Sequence, residues 1–150
     1  MVSNFIRMSV SAPAIGIATN MFGKINLSLI HRFYQSVSML SNMSNGRHQA
    51  LVLQAQKQYP GLIGWNNHHI IPIQLAGRLA ELGIKIPPFL ANITVRISTA
   101  YHRLITNEIS NQFLRGFDAL GNVRAFSVHP ANLRSVLNAL EKVYDKFPLP

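Results

Sequence analysis

Residues 65–73 read WNNHHIIPI, and this stretch decides where the helical pattern of the chain gives way to extended structure. Two adjacent histidines precede two isoleucines and a proline. A short apolar, β-branched run of this kind predicts a strand or an extended loop. Adjacent side chains of an extended chain point to opposite sides, so we expect His68 and His69 to have different roles.

Two helices are predicted before this stretch. The apolar residues at the start of the chain show no helical or strand periodicity. Apolar residues at helical spacing predict one helix over 27–40, and a second is predicted over 47–58, before Tyr59-Pro60-Gly61. Residues 1–24 are rich in Pro, Gly, Ser and Asn, which indicates a flexible leader or linker. We therefore expect a single domain over 25–150.

A mixed pattern follows the histidines. We predict a helix over 74–82, an extended segment over IKIPPFLA at 84–91, and a strand over NITVRI at 92–97. Ser98 or Thr99 would cap a helix that runs to about residue 117 and carries His102 in its first turn or so. A last helix follows Pro130, with an apolar stripe over 133–147. The fold class predicted is α+β.

Composition and charge restrict the function. The chain has 150 residues, of which 48% are hydrophobic and 13% charged, so it can bury a core. It has no cysteine, which excludes disulfide scaffolds, thiolate zinc sites and cysteine nucleophiles. It has no apolar run of about 18 residues, so no membrane insertion is expected. The net charge of +9 favours a polyanionic partner such as nucleic acid, or an acidic protein surface.

Histidines must carry the chemistry if the protein is an enzyme. The five carboxylates all lie away from WNNHH, which argues against a mechanism with paired carboxylates. One histidine of the pair could bind a metal while the other accepts a proton from water, and His102 could close the site from the other side.

The order NNHHIIP, NITVRI and STAYHRLITNEI resembles the HNH or His-Me finger (ββα-metal) nucleases. It is most similar to variants with a paired His-His-x-x-Pro motif, found as C-terminal toxin domains of bacterial polymorphic toxins. The resemblance covers about residues 64–117 and implies a small ββα-metal finger between N-terminal and C-terminal helices. It implies a nuclease domain over 25–150.

The resemblance assigns roles to individual residues. It implies that His68 and His102 bind one divalent metal ion, that His69 is the general base, and that Asn92 orients this base. Where many relatives have a further ligand on the helix, this chain has Thr106 and Asn107. We take Asn107 as the candidate last ligand, with a water or no ligand as alternatives. Imidazole ligands leave the metal open among Mg²⁺, Mn²⁺, Ni²⁺ and Zn²⁺.

Basic residues in or beside the motif are expected to contact phosphates without reading sequence. These candidates are Arg78, Lys85, Arg96, Arg103 and Arg115. The function expected is a largely non-specific DNA endonuclease. The family implies a secreted or delivered toxin that acts in the target-cell cytoplasm, with a cognate immunity protein that the charge predicts to be acidic. Two alternatives stay open: an RNase toxin, and a non-catalytic nucleic-acid-binding module with a structural metal.

Overall fold

The computed structural model describes residues 21–113 and 133–150. Six α-helices and two β-strands lie in these ranges. In chain order they are α1 (Met21–Met43), α2 (Asn45–Gln58), β1 (Trp65–His69), α3 (Ile73–Glu81), α4 (Pro88–Ala91), β2 (Thr94–Ser98), α5 (Thr99–Gln112) and α6 (Leu133–Lys146). The described part of the chain is mostly helical with one antiparallel two-stranded sheet, which confirms the α+β class.

The two long stripes of the sequence form the main helix pair. The apolar stripes of α1 and α6 recur every three or four residues, so each helix presents one continuous apolar face. These faces pack against each other, α2 packs against α5, and α5 also contacts α6 and the sheet. The buried residues form one core. The β1–β2 sheet is thereby held against α5, the helix that carries His102.

Local chemistry explains where the elements around the sheet begin and end. Pro72 precedes α3, and Gly83 follows it with φ of +86°, a conformation that glycine adopts without steric cost. The Ser98 hydroxyl accepts from the Tyr101 N–H at the start of α5, so the predicted cap is confirmed.

Several boundaries differ from the sequence prediction, among them the end of α5, which lies at Gln112 and not at about residue 117. Helix α1 begins at Met21, whereas the predicted helix begins at Leu27. Apolar spacing marks only the part of a helix that packs on a core, and the buried residues of α1 begin at Leu27. The prediction of an extended 84–91 segment was wrong at its end, since α4 starts at Pro88, a first-turn position where the missing N–H removes no hydrogen bond. Strand β2 starts at Thr94, and Asn92 caps the end of α4. Of the predicted leader, residues 1–20 lie outside the described residues.

Candidate functional site

The two histidines lie at the end of β1 and on opposite faces of the sheet. Strand β1 runs antiparallel to β2, with His68 opposite Val95 and His69 opposite Thr94. His68 is only 4% exposed, whereas His69 is half-buried. Opposite pairs share a face, so His68 lies on the core side with Val95. The two side chains therefore point to opposite faces of the sheet, as expected for neighbours on a strand.

Tyr144 on α6 holds the ring of His68. The His68 Nε2 lies 2.7 Å from the Tyr144 hydroxyl oxygen, and that hydroxyl donates to the Ile70 carbonyl at 2.6 Å. A tyrosine hydroxyl has one proton, and the Ile70 carbonyl can only accept it. His68 must therefore donate through Nε2–H, which leaves the lone pair on Nδ1.

His102 faces His68 from the first turn of α5. The two imidazole rings have centroids 5.2 Å apart and planes at 69°. Burial lowers the pKa of His68 to about 3, helped by the neighbouring His102 and His69. Burial, followed by the charge of Arg103, also lowers the pKa of His102. Both rings therefore favour the neutral form, which is the form that binds metals.

The distance between the two ring centroids is compatible with two imidazoles on one metal ion. A metal–nitrogen distance of about 2.0–2.1 Å puts the ion roughly 3.2 Å from each ring centroid, so two imidazoles on one tetrahedral ion have centroids about 5 Å apart. The observed 5.2 Å agrees with this value. Within residues 21–113 and 133–150, no three His, Asp or Glu side chains lie close enough to hold an ion alone. Further positions would fall to water or a neutral oxygen.

A cleft of about 230 Å³ opens beside these rings. This volume accommodates an ion with a phosphate group and water, and it is smaller than the usual pocket for a drug-sized ligand. The lining residues are Asn67, His68, His69, Pro72, Ile73, Gln74, His102, Thr106 and Ile109. The cleft thus brings together three of the five residues proposed for catalysis and metal binding.

The structure does not bring the two asparagines into the cleft. Asn92 is exposed at the end of α4, and its side chain makes no hydrogen bond with the other described residues. Asn107 is exposed, and its amide donates to the Tyr59 hydroxyl at 3.3 Å. Thr106, four residues after His102 and so on the same side of α5, lines the cleft instead. The proposed roles of Asn92 and Asn107 stay predictions.

The basic candidates are spread over several elements. Arg78 on α3 pairs with Glu81 at 2.9 Å, and Lys85 is exposed in the loop after α3. The guanidinium of Arg96 on β2 lies 5.5 Å from the centre of the Trp65 ring, and that of Arg103 on α5 lies 5.7 Å from that of Tyr59. Arg115 lies outside the described residues.

Tyr144 is the residue of the candidate site that the sequence did not indicate. It belongs to the apolar stripe of α6, where its spacing predicts a core residue. It is fully buried there, and its hydroxyl lies against a histidine 76 positions earlier in the chain. A buried tyrosine hydroxyl needs a hydrogen-bond partner, but the sequence alone does not indicate which residue supplies it.

Comparison with known proteins identified no relative. No protein-family model, no curated protein and no solved structure matches this chain. None of the helices in the described ranges has the length and apolar character needed to cross a membrane. The assignment of a function therefore rests on the residues of the cleft.

Proposed function

We propose that this protein is a metal-dependent, largely non-specific DNA endonuclease of the ββα-metal type. The observation that carries the proposal is the His68–His102 ring pair, which faces one cleft that His69 also lines. The order β1, β2, α5 agrees with a ββα finger, although α3 and α4 lie between the strands.

His68 and His102 would hold one divalent cation, which supplies positive charge to the scissile phosphate and the leaving oxygen. His68 is suited to this task because its Nε2–H is already bonded to Tyr144, which fixes the ring and leaves Nδ1 as the ligand atom. His69, beside it but less buried, would accept a proton from the attacking water. Asn92 would orient His69 once substrate is bound.

Charge supports a nucleic acid substrate. The chain carries 14 Lys and Arg against 5 Asp and Glu. Positive charge favours phosphates and does not distinguish DNA from RNA. By resemblance to polymorphic toxins, we extend the proposal to a delivered antibacterial effector that acts in the target-cell cytoplasm. Its acidic immunity protein would protect the producing cell.

The test is cleavage of plasmid DNA and total RNA in EDTA or with Mg²⁺, Mn²⁺, Ni²⁺ or Zn²⁺. We expect DNA nicking that requires a metal. His69→Ala should lower the rate about 10²- to 10⁴-fold, the usual contribution of a general base, with metal affinity retained. His102→Ala should lower metal affinity. His31→Ala is the matched control, because His31 lies on α1 and does not line the cleft.

Three results would contradict the proposal. Equal loss of metal by His69→Ala and His102→Ala would remove the division of roles. Cleavage of RNA that persists in EDTA would indicate a metal-free RNase. Salt-sensitive binding without cleavage under any metal would indicate a non-catalytic nucleic-acid-binding module with a structural metal.

A further inference from the structure

The exposed face of the sheet carries an unusual pair of side chains. Trp65, the only tryptophan of the chain, is 62% exposed at the start of β1. Arg96 on β2 is also exposed, and it pairs across the sheet with exposed Asn67. Residues two apart on a strand share a face, so Trp65, Asn67 and Arg96 form one surface, here called the Trp65 face.

No carboxylate of the described residues pairs with Arg96. Its guanidinium lies over the Trp65 ring, 5.5 Å from the ring centre. Neither strand contains an acidic residue, and in the described ranges no carboxylate lies within 4 Å of Arg96. An exposed tryptophan ring keeps a large apolar area available for contact with a ligand. Here the ring stays exposed, and the guanidinium of Arg96 lies over it.

The Trp65 face is continuous with the cleft. Asn67 belongs to this surface and also lines the cleft, as does His69, the next residue on the same face. Trp65 and His69 lie four positions apart on β1, which puts their Cα atoms about 13 Å apart. A ligand on Trp65 would therefore lie outside the cleft and beside its entrance.

We propose that the Trp65 face is a stacking subsite for an unpaired nucleotide that flanks the phosphate held in the cleft. The inference rests on the proposed nuclease function and adds a substrate class, single-stranded or locally unpaired nucleic acid. An aromatic ring offers a base a stacking surface, and Arg96 offers the adjacent phosphate a cation. Bases inside an intact duplex are covered by their neighbours, so only an unpaired base can use the ring.

The test uses the fluorescence of the single tryptophan. The 150-residue chain is titrated in EDTA with a short oligodeoxythymidylate or with a blunt-ended DNA hairpin, so that no metal-dependent cleavage interferes. We expect the single strand to quench Trp65 and to bind more tightly than the hairpin. By anisotropy of a labelled strand, Trp65→Ala should weaken binding about 5- to 150-fold, the usual range for one stacked base, and Trp65→Phe should restore most of it.

Two further variants separate stacking from charge and from general surface effects. Arg96→Gln should lower the salt dependence of binding by about one phosphate contact. Ile63→Ala removes another highly exposed apolar side chain two residues from Trp65 and should leave affinity unchanged.

The inference is overturned if saturating oligonucleotide leaves the emission of Trp65 unchanged, or if Trp65→Ala binds the strand as tightly as the wild type does. It is also overturned if neither DNA probe quenches the emission of Trp65 and only an acidic protein does. Absence of cleavage in the metal assays, with quenching and the Trp65→Ala effect intact, would remove the nuclease proposal and leave the stacking subsite standing.

Discussion

Replacing Tyr144 by phenylalanine tests the link between the C-terminal helix and the proposed metal ligand. The change deletes one hydroxyl and with it the bonds to His68 Nε2 and to the Ile70 carbonyl. Both partners are buried, so each would lose its hydrogen bond without gaining water. An unsatisfied buried group costs about 1–3 kcal/mol. We expect the free energy of unfolding to fall by roughly 2–4 kcal/mol, which lowers Tm by about 5–15 °C in a chain of this length.

The same change should weaken metal binding. Without the hydroxyl, nothing fixes the His68 proton on Nε2, and loss of such a supporting bond typically costs 10- to 100-fold in metal affinity. Stability is measured by urea unfolding in EDTA, and affinity by calorimetric titration with Zn²⁺, Ni²⁺ or Mn²⁺. Nitrogen-15 NMR of the imidazoles should show His68 as the Nε2–H tautomer in the wild type.

Tyr101→Phe is the matched control. Tyr101 is equally buried, and its hydroxyl donates to the Pro148 carbonyl at 2.7 Å, away from His68. We expect about 1–2 kcal/mol of lost stability and no change in metal affinity. If Tyr101→Phe and Tyr144→Phe bind metal equally well, or if the NMR shows His68 protonated on Nδ1, the positioning role of Tyr144 is refuted and it is a core residue only.

Two further outcomes follow from the cleft. Burial lowers the pKa of His68 to about 3, whereas the pKa of a histidine in the unfolded chain is near 6.5. Above pH 6.5, His68 is neutral in the folded and in the unfolded protein. Between pH 6.5 and 3, the unfolded chain binds a proton at His68 that the folded chain does not bind. Stability should therefore fall as pH drops from about 6.5 towards 3, by up to about 1.4 kcal/mol per pH unit for this group, and urea unfolding of apo His68→Gln should show a slope shallower by one proton. Asn107→Ala should keep wild-type metal affinity in calorimetry, because its amide donates to the Tyr59 hydroxyl. A loss as large as that of His102→Ala would support the predicted role of Asn107 as a ligand.

Local patterns predicted most of the elements. The helix over 74–82, the strand before His102 and the last helix follow from periodicity, from Gly83 and from the Ser98 cap. These signals depend on neighbouring residues, so they are readable without the fold. The errors lie at helix ends and in residues 84–91. In 84–91 the prolines are compatible both with an extended segment and with the first turn of a helix.

The candidate site was less readable. Residue type and order indicated His68, His69 and His102, and all three line one cleft. Thr106 lines the cleft and Asn107 does not, because a residue five positions after His102 points about 140° away from it on the helix. Which side of α5 faces the cleft was decided by its packing against the sheet and α6.

The sequence by itself determined the residue chemistry of this protein: histidines without nearby carboxylates, no thiols, and an excess of positive charge. It also determined the local elements, because periodicity and capping act over a few residues. Only the tertiary structure decided that α6 supplies the hydroxyl that orients His68, and that Trp65 stays in solvent beside Arg96. Both depend on contacts between residues distant in the chain, and such contacts are selected by packing of the whole core.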